Sequence, residues 1–216
     1  MSHFIGLMFG GDESVLYQYD ENMKVKPYVR YTKKEAIEEA REQHKRRYLC
    51  VSQNLGRNPL HWDDWMKNVA AIGQNMTDEQ AWEQAKDWGY EIDKDDNLLS
   101  TYNPDSKWDW YQVGGRWGGY LPLKESQTVT FEGENYEFTY TDECVVKEVD
   151  WDTYFREHTS PFCFITTTGE WHEKAEMGWW AMTANDKEEN DWIKEFKDYL
   201  NILDPDTVIT AIDFHI

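Results

Sequence analysis

HFIGLMF, residues 3–9, is the stretch on which the reading of the fold turns. It is a short apolar run closed by Gly10-Gly11-Asp12, the pattern of a buried strand followed by a turn. The opposite end, residues 208–216, has the same texture and finishes in AIDFHI, a terminal strand. Between these ends helical and strand segments follow without regular βα alternation, which predicts an α+β fold: a mostly antiparallel sheet with helices packed on one face. The first and last strands are both expected at its centre.

Working inward, Thr32-Lys33-Lys34-Glu35 is a capping box opening a helix to about Arg47. HWDDWMKNVAAIG, residues 61–73, spaces Trp62, Trp65 and Val69 for one helical face. Thr77 to Gln80 is a second capping box, for a helix that ends near Gly89. Together these define a helical insertion at about 32–90 within a single domain spanning 1–216. Residues 15–31 read as a loose hairpin or extended excursion, and 91–106 as a polar loop. Strands are then expected at 108–113, 117–121, 127–131 and 135–140, and a short helix at 150–158. Three more strands follow at 162–168, 171–174 and 178–183. Asn185 is placed as the cap of a helix over 186–200, whose Trp192, Phe196 and Leu200 form an apolar stripe.

Composition narrows the function classes. The core rests on 12 Trp, 13 Tyr and 9 Phe, which offset the polar mean hydropathy because each ring buries a large area. The formal net charge is -20, and residues 101–216 carry 24 Asp+Glu against 9 Lys+Arg. A field of that sign repels phosphate backbones and acidic membrane surfaces, so neither general nucleic-acid binding nor membrane association is expected. Cys50, Cys144 and Cys163 show no CxxC or zinc spacing, and their odd number argues against a disulfide framework. With no signal segment at the N-terminus, the expected location is the cytoplasm. Aromatic-rich strands of this kind can also pair across an oligomer.

The segment NPDSKWDWYQVGGRWGGYL, residues 103–121, concentrates rings, glycine pairs and one arginine. Gly114-Gly115 and Gly118-Gly119 let another group approach the main chain, and Arg116 can present its guanidinium to a phosphate or carboxylate. Trp108, Trp110, Tyr111 and Trp117 are the stacking candidates, with Lys107 as a further anion contact. The structural alternative is a Gly-Gly hairpin with Arg116 paired to Asp109 or another acid. Glu170 and His172 lie i, i+2 in GEWHEK, and Asp213 and His215 repeat that arrangement. If those faces meet, the pairs suit proton transfer, with His172, His215 and Glu170 as the catalytic candidates and His3 able to join them. No P-loop, GxGxxG, HxH, HExxH or EF-hand pattern is present; no cofactor and no metal are expected.

Finally, TYNPDSKWDWYQVGGRWGGYL, YDEN followed by PY near 19–28, GEWHEKAEMGWW and the terminal DFHI resemble a family of small acidic proteins encoded by tailed bacteriophages. The resemblance spans most of the chain and carries no site residue across. It implies an accessory protein made in the cytoplasm of an infected host bacterium. Counter-defence is then the expected role, by sequestering a nucleotide-derived signal. Two alternatives remain: a hydrolase cleaving a linear or cyclic nucleotide phosphodiester, and an acidic DNA mimic or inhibitor that binds a host defence protein.

Overall fold

The computed structural model describes residues 2–54, 76–177 and 182–216. The helix expected at 61–73, with Trp62, Trp65 and Val69, and most of the strand expected at 178–183 lie outside the described residues. The chain forms two compact units, one of Met1–Met23 and Asn103–Ile216 and one of Lys24–Tyr102.

In chain order, β1 (His3–Phe9) is followed by a 3-10 segment, Glu13–Tyr19. The second unit comprises β2 (Tyr28–Tyr31), α1 (Lys33–Asn54), α2 (Asp78–Lys86), β3 (Glu91–Ile92) and β4 (Leu98–Ser100). The first unit then resumes with β5 (Trp110–Val113), β6 (Leu121–Phe131), β7 (Glu134–Thr141), β8 (Glu143–Val145), α3 (Trp151–Glu157), β9 (Cys163–Ile165) and β10 (Trp171–Glu173). It ends with β11 (Glu176–Met177), β12 (Thr183–Ala184), α4 (Glu189–Ile202) and β13 (Val208–His215).

The main sheet has the order β10-β9-β1-β13-β5, with β8 also paired to β13. The two terminal strands are central and pair antiparallel along their whole length, from His3↔His215 to Phe9↔Ile209. Among the described residues only the β1–β9 pair is parallel within this sheet. Both faces of β1 and β13 are covered, which is why both strands are mostly apolar rather than alternating, β13 burying Thr210, Asp213 and His215 besides. Ile5, Leu7, Phe9, Ile209 and Ala211 pack with Tyr154 of α3 and with Trp192 and Phe196 of α4. Phe4, Met8, Ile212 and Phe214 pack on the other side with Leu16, Trp108 and Ile165. Gly6 permits this density: a Cβ there would lie 2.5 Å from the Phe214 ring and 2.7 Å from Cys163 Sγ.

The second unit has its own core, in which Ala36 and Ala40 of α1 and Ala81 and Ala85 of α2 meet Leu98. Both capping boxes are formed, Thr32 with Glu35 and Thr77 with Gln80. Helix α1 continues to Asn54, past the expected end near Arg47. Strands β2, β4 and β3 form a three-stranded sheet in segments expected to be loop or loose excursion.

Two further expectations are corrected. Residues 117–121 are not a hairpin strand: Gly115–Trp117 is a 3-10 turn, and β5 pairs with β13 instead. Helix α4 begins at Glu189 after Glu188 as its cap, not at Asn185. The backbone before it is already engaged, since Lys187 N–H donates to the Lys174 carbonyl and Asn185 sits at φ +55°.

Candidate active site

At one end of the main sheet, register alone brings three rings onto one rung: His3 pairs with His215, and His215 with Trp110. One rung further in, Asp213 stands between Ile5 and Gln112, two residues from His215 and therefore on the same face. Asp213 is only 1% exposed. Its Oδ1 lies 2.8 Å from His3 Nδ1, and its Oδ2 accepts from the Arg116 backbone N–H at 3.0 Å.

The loop carrying Arg116 is shaped around that carboxylate. Gly115 has φ +54°, and a Cβ on it would stand 2.5 Å from Asp213 Cβ. Gly114, at φ +68°, is similarly pressed against Asp142, which also accepts from the Gly119 N–H at 2.6 Å. The close approach that these glycines allow is thus taken by the protein's own acids. Held in this way, the loop leaves the Arg116 side chain exposed, with no ion-pair partner among the described residues, Asp109 included.

His215 forms a second dyad: its Nδ1 lies 2.5 Å from Asp109 Oδ1, while the Asp109 N–H donates to the His215 carbonyl. The His215 ring stacks on Trp110 at 5.2 Å and meets His3 edge-on, with centroids 4.8 Å apart. A carboxylate at Nδ1 orients a neutral imidazole as the Nδ1–H tautomer and leaves the lone pair on Nε2. The rings themselves are largely covered, His215 being 4% exposed and the His3 side chain 9%. Among the described residues neither Nε2 has a hydrogen-bond partner. Neither is a sealed orphan, a condition met there only by Tyr28 Oη, Trp108 Nε1 and His158 Nε2. Two oriented imidazoles in ring contact can act as a proton acceptor and a proton donor on one bound molecule.

The other nominated residues divide by location. Trp110 is 42% exposed at this corner, and Trp117 is half-buried against the helix-side core. Trp108 lies buried beneath the opposite face against Tyr111 and Phe214. Tyr111 donates to Glu13 Oε2 at 2.6 Å, and burial followed by that bond pushes its phenol far up. Lys107 is paired with Glu173 at 2.7 Å.

His172 is not part of the corner. It lies flat on Phe164 at 4.6 Å, with Nδ1 2.8 Å from Glu195 Oε1 and Nε2 3.7 Å from Glu170. Its rung runs through Phe164 and Leu7 to Ala211, three strands across and four residues along from His215. That is roughly 14 Å by 13 Å.

Neither Cys144 nor Cys163 is poised as a nucleophile. Burial pushes Cys144 up to about 12 and Cys163 well above the usual thiol range. Among the described residues no group of three or more His, Cys, Asp or Glu is arranged to hold a metal, and no helix is long and apolar enough to cross a membrane. Comparison of the chain with protein-family models, with curated proteins and with solved structures finds no match.

Proposed function

We propose that the His3–Asp213 and His215–Asp109 corner is an acid–base site for a small phosphate ester of the nucleotide type, and that the protein hydrolyses a phosphodiester there. One imidazole, entering neutral, takes the proton of the attacking water at Nε2. The other, entering as the imidazolium, gives its Nε2 proton to the leaving oxygen as the P–O bond breaks, so the two rings exchange protonation states and a proton passing between them restores the start. Arg116 supplies the cation for the phosphate, and Trp110 a face on which a base can stack. The observation that carries this reading is the paired orientation itself. Burying the Asp213 carboxylate is costly unless it is bonded, and its bonds serve to aim His3 and to hold the Arg116 loop.

The second reading is capture without turnover, favoured by the exposed Trp110 ring and by the exposed Arg116 side chain, which has no ion-pair partner among the described residues; both are binding groups. In either case the acidic surface favours a small ligand over a long polyanion. In an infected bacterium, the setting the phage-family resemblance implies, such a site would remove a nucleotide second messenger.

The test is incubation of the purified protein with a panel of linear and cyclic nucleotides, followed by chromatography of released and bound molecules. Hydrolysis predicts a converted nucleotide and its loss in His3→Asn and His215→Asn. An intact nucleotide retained by the protein points to capture. Neither binding nor conversion across the panel rejects both readings.

A further inference from the structure

The hairpin of β6 and β7 has a sequence pattern that its surroundings do not use. Its strands pair Gln127↔Phe138, Val129↔Tyr136 and Phe131↔Glu134. Alternation then puts Val129, Phe131, Tyr136 and Phe138 on one face, continued by Tyr140, and Thr128, Thr130, Asn135 and Glu137 on the other. Such a pattern normally belongs to a ribbon with one face on a core. Here the five apolar residues are between 39% and 63% exposed. A two-stranded ribbon is marginal in water by itself, and a contiguous apolar patch of several hundred Å² marks an interaction surface.

We infer that this face docks on the same face of a second copy of the chain. Area is the first argument. The five side chains offer roughly 450 Å² per copy, so face-to-face contact buries about 900 Å², which polar rim residues bring to the ~1,000 Å² of a specific interface. Charge is the second. The protein carries a formal -20, so copies repel over most of their surface, whereas acids meet this face only at its two ends, Glu134 at the turn and Glu157 of α3 at the Tyr140 hydroxyl, among the described residues. A basic partner would find little here to neutralise. Shape is the third: an antiparallel ribbon turned about a two-fold axis that runs parallel to the Val129/Tyr136 rung, midway between the copies, presents the same rows to itself, about 10 Å apart as in a sandwich.

Sedimentation of the full chain across low to high micromolar concentration tests the inference. The native protein is expected to dimerise, and Phe131→Glu with Phe138→Glu to weaken the dimer by about 100-fold or more. Circular dichroism of that variant should be unchanged, since both side chains lie outside the core. A bismaleimide cross-linker with a reach of about 10 Å, matched to the spacing of the packed faces, should link Val129→Cys copies beyond the level given by the native cysteines, and Thr128→Cys, on the opposite face, should not. A native protein that stays monomeric throughout overturns the inference. So does a dimer that survives the double substitution, or cross-linking that ignores the face.

Discussion

His172 and the pair His3 and His215 are built from the same parts, imidazole, carboxylate and an aromatic neighbour, yet they differ in what is left free. At His172 the ring is laid on Phe164, Nδ1 meets Glu195, and Glu170 stands near Nε2. Glu195 is itself shared with Lys187, so the group ties an edge strand to a helix. At the other end of the sheet each Nδ1 is held, and each Nε2 has no partner among the described residues. The lesson is that a His near an acid becomes a chemical site by what its second nitrogen faces, which strand register decides.

The largest expected effect comes from breaking that contrast directly. His3→Asn or His215→Asn should reduce nucleotide turnover by about 100-fold or more, the scale of a lost acid or base. His172→Asn should leave it within about 2-fold, and steady-state rates on the three variants check both. Gly115→Ala comes next. The new Cβ meets Asp213 at a positive φ, so the loop must shift, at a cost of about 2 kcal/mol or more in urea unfolding together with loss of turnover. Arg116→Ala should weaken ligand retention by roughly tenfold without changing the unfolding midpoint, as expected of an exposed charge-assisted contact.

The smallest effect sharpens the other side of the comparison. Burial alone would raise the Glu195 carboxyl, but hydrogen bonds from Lys187 and then His172 prevail and hold it below the usual glutamate value. A depressed folded-state value stabilises the protein above the unfolded value of about 4.5, and that contribution is lost as pH falls through the lower folded value. Glu195→Gln should flatten this acid limb of the stability profile and leave turnover unchanged. A steep loss of activity would put Glu195 in the site after all.

Much of the architecture was legible because its signals are local. HFIGLMF and the terminal strand are both mostly apolar, the second interrupted by Thr210, Asp213 and His215, and Thr32/Glu35 and Thr77/Gln80 are capping boxes with a defined geometry. The strands of the second unit were not legible. Both residues of β3 and two of the four in β2 are exposed, too little alternation to mark a strand. At the site, the residue types were readable and the partnerships were not. His3 and His215 are at opposite ends of the sequence and meet only through register, while Asp109, whose spacing suits an ion pair with Arg116, bonds to His215 instead. Trp108 and Tyr111 looked equivalent to Trp110 as rings, but Tyr111 alternates to the other face of β5 and Trp108 is sealed beneath it. The Gly-Gly pairs signalled close approach without naming Asp213 and Asp142 as what approaches.

The central proposal is that His3 and His215, oriented by carboxylates at Nδ1, use Nε2 on a phosphate ester. Long-range proton–nitrogen NMR of the imidazole side chains in mildly alkaline buffer, before and after addition of a nucleoside monophosphate, tests it most directly. The account predicts Nδ1–H tautomers for both residues, with Nε2 signals that move on addition while those of His172 stay in place. Nε2–H tautomers at His3 and His215, or shifts at His172 with none at the pair, would contradict it.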